Sequence, residues 1–325
     1  MRTFIIFATV LVLLQTTYAQ SNFQTLQGPY LGQTTPGDKA EIFAPGIICT
    51  TLNERDITFS PDLKEIIFGV LEKPYCVFVS VKYINGKWST PELLPFCGKH
   101  DDVEPQLSPD GNRLYFSSDR PVNDSDSTDD YDIWYVDRTD TGWSEPCNVG
   151  SPVNSDKNEY YPSITKNGTL YFTTHDMKIC KSVLTDNGFS ERIILIDSIN
   201  SGVAEYNAFI APDESYLIFT SHGWEGGRAG RGDLFISFNK GKNEWTSAVN
   251  LGPKINSKVV DLCPTVTPDG KYFFFSSTRV PSILKPEPIT SYEEIFQRSN
   301  TWGNGKSDIY WVSAEFIQNI KSITK

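Results

Sequence analysis

Glu54, Asp102, Glu159, Glu205 and Asp261 hold one fixed place in a recurring pattern: each lies six positions before a turn signal. Carboxylates repeated at one offset are expected to share one face of the fold. Gathered around one mouth they repel unless cations, hydrogen bonds or raised pKa values relieve them, so an open ring of this kind suits a cation, an amine or a basic peptide. The other reading is structural, with each acid accepting backbone N–H bonds from a neighbouring unit. The three histidines fall near the same face. His175 and His222 occupy equivalent positions, and His100 lies two residues before Asp102. Imidazole beside carboxylate makes an acid–base pair or part of a metal site. Without HxH or HExxH spacing, the metal set His100, His175 and His222 rests on shared placement alone. Arg120 and Arg279 are equivalent too, and either grip a carboxylate or sulfate bidentately or pair with the acids. Trp224, inside the glycine-rich stretch 223–232, offers a face for stacking on a sugar or ring. The loop 121–130 carries Asp124, Asp126, Asp129 and Asp130, which leaves room for a divalent cation, although no other cofactor is expected.

The elements that must position these residues are short strands. Turn signals stand at Ser60-Pro61-Asp62, Ser108-Pro109-Asp110, Thr165-Lys166-Asn167, Ala211-Pro212-Asp213 and Thr267-Pro268-Asp269, with spacings of 48, 57, 46 and 56 residues. Proline presets φ at such turns and the following polar residues close them. Each leads into an aromatic-rich strand, such as Leu114 to Phe116 or Tyr272 to Phe275, and then into a third strand, such as Ile133 to Val136 or Ile309 to Val312. Four short strands per repeat, five times over, predict an all-β, five-bladed β-propeller. The fifth repeat lacks its outer strand, whereas Glu41 to Ile48 precedes the first repeat and belongs to none. The N-terminal strand is therefore expected to complete the last blade and remove an exposed edge. Six blades are the alternative. In the long insertion 280–306, Ser291 and Glu294 form a capping box that predicts a short helix lying over the same rim.

The Ser108-Pro109-Asp110-Gly111 turn, the Tyr115-Phe116-Ser117-Ser118-Asp119-Arg120 strand and the Asp132-Ile133-Trp134 strand start resemble the Tol-type, WD40-like β-propeller repeat of exported bacterial proteins. The resemblance spans nearly all of the chain after residue 40. It implies a propeller outside the cytoplasm that binds a partner at its channel mouth.

The N-terminus reads as a secretory leader over residues 1–19: Arg2, the apolar run Phe4 to Leu14, and a small-residue cleavage site at Ala19. A polar surface segment over 20–40 and a single propeller domain over 41–325 follow. The expected location is periplasmic or extracellular, with no membrane span once the leader is cleaved. The net charge of −11 argues against nucleic acid, which needs a basic surface. Cys76 and Cys97 flank the Asn85-Gly86 hairpin signal, and either bridge adjacent strands or stay reduced like the other four cysteines. Two functions fit these residues. One is a non-catalytic binding or scaffold propeller whose acidic mouth takes a protein, peptide or glycan ligand. The alternative is a carbohydrate-active enzyme, a sialidase-like glycosidase or polysaccharide lyase, using the same face.

Overall fold

A computed structural model describes residues 26–123, 130–223, 232–281, 284 and 288–324. The leader 1–19, Asp124, Asp126, Asp129 and Trp224 lie outside the described residues.

Five antiparallel sheets stand in a ring. The inner strands are Glu54–Phe59, Asp102–Leu107, Glu159–Ile164, Ala204–Ile210 and Asp261–Val266. Each contacts the next, and the last contacts the first. Second strands return at Glu65–Glu72, Arg113–Ser118, Leu170–Thr174, Tyr216–His222 and Tyr272–Ser277. Third strands are Tyr75–Ile84, Asp132–Thr139, Ile179–Ser182, Asp233–Gly241 and Asp308–Ser313. Second strands bury large side chains on both faces, because each is sandwiched between blades; Phe116, Phe172, Phe219 and Phe274 are all fully buried.

The turns between first and second strands form as their residues dictate. Ser60 Oγ donates to Asp62 Oδ1 at 2.7 Å, and Thr267 Oγ1 donates to Asp269 Oδ1 at 2.7 Å. Gly111 stands at φ 74°, and a Cβ there would meet Pro61 Cδ at 2.7 Å, so this turn is packed against the neighbouring blade through a glycine.

The ring closes as the spare strand implied, with the chain's two ends in one sheet. Glu41 pairs with Trp311 and Ile42 with Tyr310, antiparallel. The strand is shorter than the expected Glu41 to Ile48. After Phe43, whose N–H reaches Ile309 O at 2.8 Å, Ala44 and Gly46 turn the chain at φ 43° and 80°. Tyr30 and Leu31, within the segment read as surface, are buried in the core beneath this closure.

No disulfide forms: all six cysteines are free. The Cys76–Cys97 bridge is thereby corrected, since Cys97 Sγ instead lies 3.5 Å from Phe78 N as its acceptor. That contact explains the residue type. In three blades an asparagine clamps the third strand: Asn154 bonds both N and O of Ile133, Asn200 those of Ile179, and Asn256 those of Leu234. Cys97 takes this place in the first blade and Cys49 in the closing blade, where its Sγ meets Ile309 O at 3.3 Å and Ile309 N at 3.2 Å.

The insertion forms the expected helix, Tyr292–Ser299, with Ser291 accepting from Glu294 N–H. A second helix, Glu315–Ile323, follows the last strand and packs Ile317 into the core; the sequence reading did not anticipate it. Among the described residues, no helix is long and apolar enough to cross a membrane.

Candidate functional site

Four of the five repeated acids begin their inner strands and Glu205 is the second residue of its own, so all five stand on one face of the ring. They do not form an open ring there. All are 0–1% exposed, and each is engaged within the fold. Asp102 Oδ1 accepts Ser118 Oγ at 2.7 Å and also Arg120 Nη2. Asp261 Oδ1 accepts Ser277 Oγ at 2.6 Å and also Arg279 Nη2. Glu159 holds Ser155 Oγ at 2.7 Å and Arg192 Nη1 at 3.0 Å. Glu205 holds Ser221 Oγ at 3.0 Å and Lys178 Nζ at 3.2 Å. Glu54 accepts Thr50 Oγ1 and has no ion pair among the described residues. Burial raises the Glu54, Asp102 and Glu159 carboxyls above the usual range, with Arg120 opposing it at Asp102 and, after the Ser155 hydrogen bonds, Arg192 opposing it at Glu159. The acidic mouth is corrected accordingly: a carboxylate so placed braces its blade. Arg120 and Arg279 are its braces too, each lying over two aromatic rings: Phe116 at 5.2 Å and Trp134 at 5.5 Å, and Phe275 and Tyr310 at 4.9 Å each.

Two residues beyond each acid the inner strand breaks register, and one residue turns to positive φ: Asp56 at 48°, Glu104 at 63°, Tyr161 at 52°, Asn207 at 48° and Cys263 at 56°. These are β-bulges, which re-aim a side chain. All five bulge residues meet on the axis. Glu104 Oε2 accepts Tyr161 N at 2.6 Å, and its Oε1 accepts Asn207 Nδ2 at 2.8 Å from a blade not adjacent to its own. Tyr161 OH crosses to Pro264 O at 2.9 Å. Arg55 Nε bonds Asp56 Oδ2 at 2.6 Å, and its Nη2 lies 3.7 Å from Glu104 Oε1 and 3.5 Å from Cys263 Sγ. A polar plug therefore spans the channel. Burial, then the Asp56 charge, push Glu104 up to about 7 against the pull of Arg55. Burial also holds the Cys263 thiol protonated.

Outside the plug, on the acid face, the residue preceding each bulge is half-buried: Arg55, Val103, Tyr160, Tyr206 and Leu262. Unlike the acids, these five differ from blade to blade. Tyr160 stands 5.2 Å, centroid to centroid, from Tyr131, whose hydroxyl donates to Asp101 Oδ2 at 2.5 Å. Asp101 N–H donates in turn to Asp119 Oδ1 at 2.8 Å, and His100 Nδ1 lies 3.9 Å from that oxygen. Burial, then Asp101 and Asp119, raise the Tyr131 hydroxyl above its usual range. Across the mouth, Tyr206 OH meets His222 Nε2 at 2.9 Å. A Cβ on Gly232 would lie 2.7 Å from that hydroxyl, so glycine admits the pair. His175 is exposed. Among the described residues no three His, Cys, Asp or Glu side chains converge as a metal set, so His100, His175 and His222 are not brought together as one. Sequence reasoning missed Arg55, Asp56, Asp101, Glu104, Asp119, Tyr131, Tyr160 and Tyr206. The only signal for them was their offset from the repeated acids.

The opposite mouth, ringed by the turns, opens into a cavity of about 840 Å³ floored by Phe59, Leu107, Ile164, Ile210 and Val266. None of the candidate site residues read from the sequence lines it.

No protein-family model matches the sequence, and no curated protein matches it. Among solved structures the chain is similar to the putative TolB from Agrobacterium tumefaciens, at 14% identity and a TM-score of 0.48 over 81% of this chain and 90% of that one. It is similar to TolB from Acinetobacter baumannii at 12% identity and a TM-score of 0.47, over 81% of this chain and 57% of that one. It is also similar to the α-L-arabinofuranosidase from Lactobacillus brevis at 12% identity and a TM-score of 0.47, over 81% of this chain and 90% of that one. At such identities the likeness is one of fold and assigns no activity.

Proposed function

We propose that the protein is an exported, non-catalytic binding propeller that takes a cationic group, such as a basic side chain of a peptide partner, at the acid-face mouth. The observation that carries this reading is the division of labour among the carboxylates. Glu104 has both oxygens engaged by Tyr161 N and Asn207 Nδ2, and Asp56 is 2% exposed and bonded to Arg55. Neither is free to protonate a leaving group or activate water, as a glycosidase pair must. Asp119, by contrast, remains half-exposed and close enough to act on the Tyr131 hydroxyl, with the Tyr160 ring next to Tyr131; Asp101 has both oxygens taken, by Cys76 N and Tyr131 OH. Acid beside aromatic faces is the chemistry that recognises an ammonium or guanidinium. The mouth is also asymmetric, as a specific site requires.

The test uses a blocked hexalysine peptide against a neutral peptide of equal length, titrated calorimetrically. Tyr160→Ala with Asp119→Asn is expected to weaken hexalysine binding at least about tenfold, or about 1.4 kcal/mol, with the melting temperature nearly unchanged. Equal affinity for both peptides, unaltered by the double change, would sink the reading. So would turnover of any member of a glycan panel.

A further inference from the structure

The seam between the fifth and first blades lacks what the other seams contain. Asp102, Glu159, Glu205 and Asp261 each hold a cation, namely Arg120, Arg192, Lys178 and Arg279. Glu54 holds none among the described residues; Ser307 N–H donates to Asn53 Oδ1 at 3.0 Å, joining the residues just before Asp308 and Glu54, and the Glu54 charge acts on Asp308 across the seam. The third-strand acids repeat the contrast. Asp132 Oδ2 accepts Asn148 Nδ2 at 2.7 Å, and Asp233 Oδ2 accepts Asn250 Nδ2 at 3.0 Å. Asn148 pairs with Trp134 and Asn250 with Phe235, each two residues after its aspartate. In the closing blade the same position, opposite Tyr310, is Ile42, which has no side-chain donor. Asp308 is left with Gly303 N at 3.0 Å on Oδ2 and with the weak donor of the Cys49 thiol, which opposes the effect of burial. Its Oδ1 and Glu54 Oε2 are buried with no partner at ordinary hydrogen-bond distance.

The other ionisable groups around the pair cannot replace the missing cation. Lys306 Nζ is anchored on Thr51 O at 3.1 Å and acts on Glu54 only weakly. Burial, followed by the charges of Asp308 and Glu54, keeps the Cys49 thiol protonated. Tyr310 OH donates to Arg279 O at 2.9 Å, and Arg279 itself is committed to Asp261. Two carboxyls, 1% and 2% exposed, thus share a buried seam, where both cannot ionise without cost.

We propose that a proton shared between Glu54 and Asp308 locks the ring shut, and that the seam between the fifth and first blades loosens as pH rises through neutrality. Burial and then the Glu54 charge push Asp308 up to about 7, which places the transition in that range. The strand that would release is the least paired of the closing sheet: two residues, Glu41 and Ile42, with one further bond from Phe43 N. Local opening of such an element needs only a fraction of the global stability.

Hydrogen exchange on the full chain at pH 5.5, 7.0 and 8.5, corrected for intrinsic rates, tests this. Protection over residues 41–49 and 308–313 is expected to fall about tenfold or more between pH 5.5 and 8.5, while Glu159–Ile164 stays constant. Asp308→Asn, or Glu54→Gln if the first variant does not fold, is expected to flatten the dependence. Constant protection of the closing segments in the wild-type chain would overturn the proposal even without either variant. A uniform loss across all blades, or an undiminished fall in Asp308→Asn, would overturn it as well.

Discussion

The second blade and the closing blade are built to one plan and held by different forces. Both share the brace at the inner strand, Asp102 with Ser118 and Arg120 and Asp261 with Ser277 and Arg279; the outer junction differs. In the second blade it is a chain of directional bonds, Asn148 to Asp132 and Asn154 to both polar groups of Ile133, whereas in the closing blade the corresponding positions are Ile42 and Cys49. What it has in their place is aromatic contact. Phe43 lies 5.0 Å from Phe274 and 5.1 Å from Trp311, Phe59 lies 4.7 Å from Phe274, and Tyr30 lies 4.9 Å from Tyr272. The difference follows from chain connectivity. Asn154 and Ile133 are 21 residues apart, so a short loop sets their register; Cys49 and Ile309 are 260 apart. Apolar burial is non-directional and tolerates a strand delivered from far along the chain, whereas a hydrogen-bond clamp needs its partner within a few tenths of an ångström.

The comparison breaks first under truncation. Phe43→Ala should cost about 3–5 kcal/mol, read from the urea midpoint, because it empties a fully buried site in the closing cluster. Arg120→Ala should cost about as much by the other mechanism, leaving Asp102 buried and uncompensated. The two are told apart by Asp102→Asn, which should restore part of the Arg120→Ala loss and nothing of the Phe43→Ala loss. Asn154→Ala ranks next, at about 1–3 kcal/mol, since it strands the N–H and C=O of Ile133. Cys49→Ala should cost less, because a thiol is the weaker partner. If both cost the same, the two clamps are equivalent and the contrast between blades fails.

The smallest expected effect is a slope with pH. The Asp308 carboxyl lies above its unfolded value in the folded chain, as does Glu104 in the plug. Stability from such groups is complete below the ordinary carboxylate range and drains away as pH climbs to about 7. A melting temperature that declines from pH 5 to pH 8, and declines less in Asp308→Asn, is the outcome to look for. A rising melting temperature over that range would contradict it.

Most of the architecture was legible because the fold repeats and the repeats share turn chemistry. Five blades, the closing strand and the Ser291 helix cap all follow from residues that recur or stand in known caps. The site was much less legible, for the same reason inverted. Glu54, Asp102, Glu159, Glu205 and Asp261 drew attention by recurring, and they recur because every blade needs the same brace. Arg192 and Lys178, which complete two of those braces, lie just before different strands, and Lys178 takes the place that Asp132, Asp233 and Asp308 hold in other blades, so the repeat does not mark it as a brace. The bulge residues Asp56, Glu104, Tyr161, Asn207 and Cys263 share a backbone conformation but no side-chain type, so no pattern of letters marks them.

Those five left-handed kinks give the molecule a hub whose letters are not independent. Each spoke contributes one side chain to the axle, and Glu104, Tyr161 and Asn207 are bolted to one another across it. Changing one of them leaves its mates buried and short of a bond, so the axle is re-lettered in concert, while the braces at the rim stay as they are.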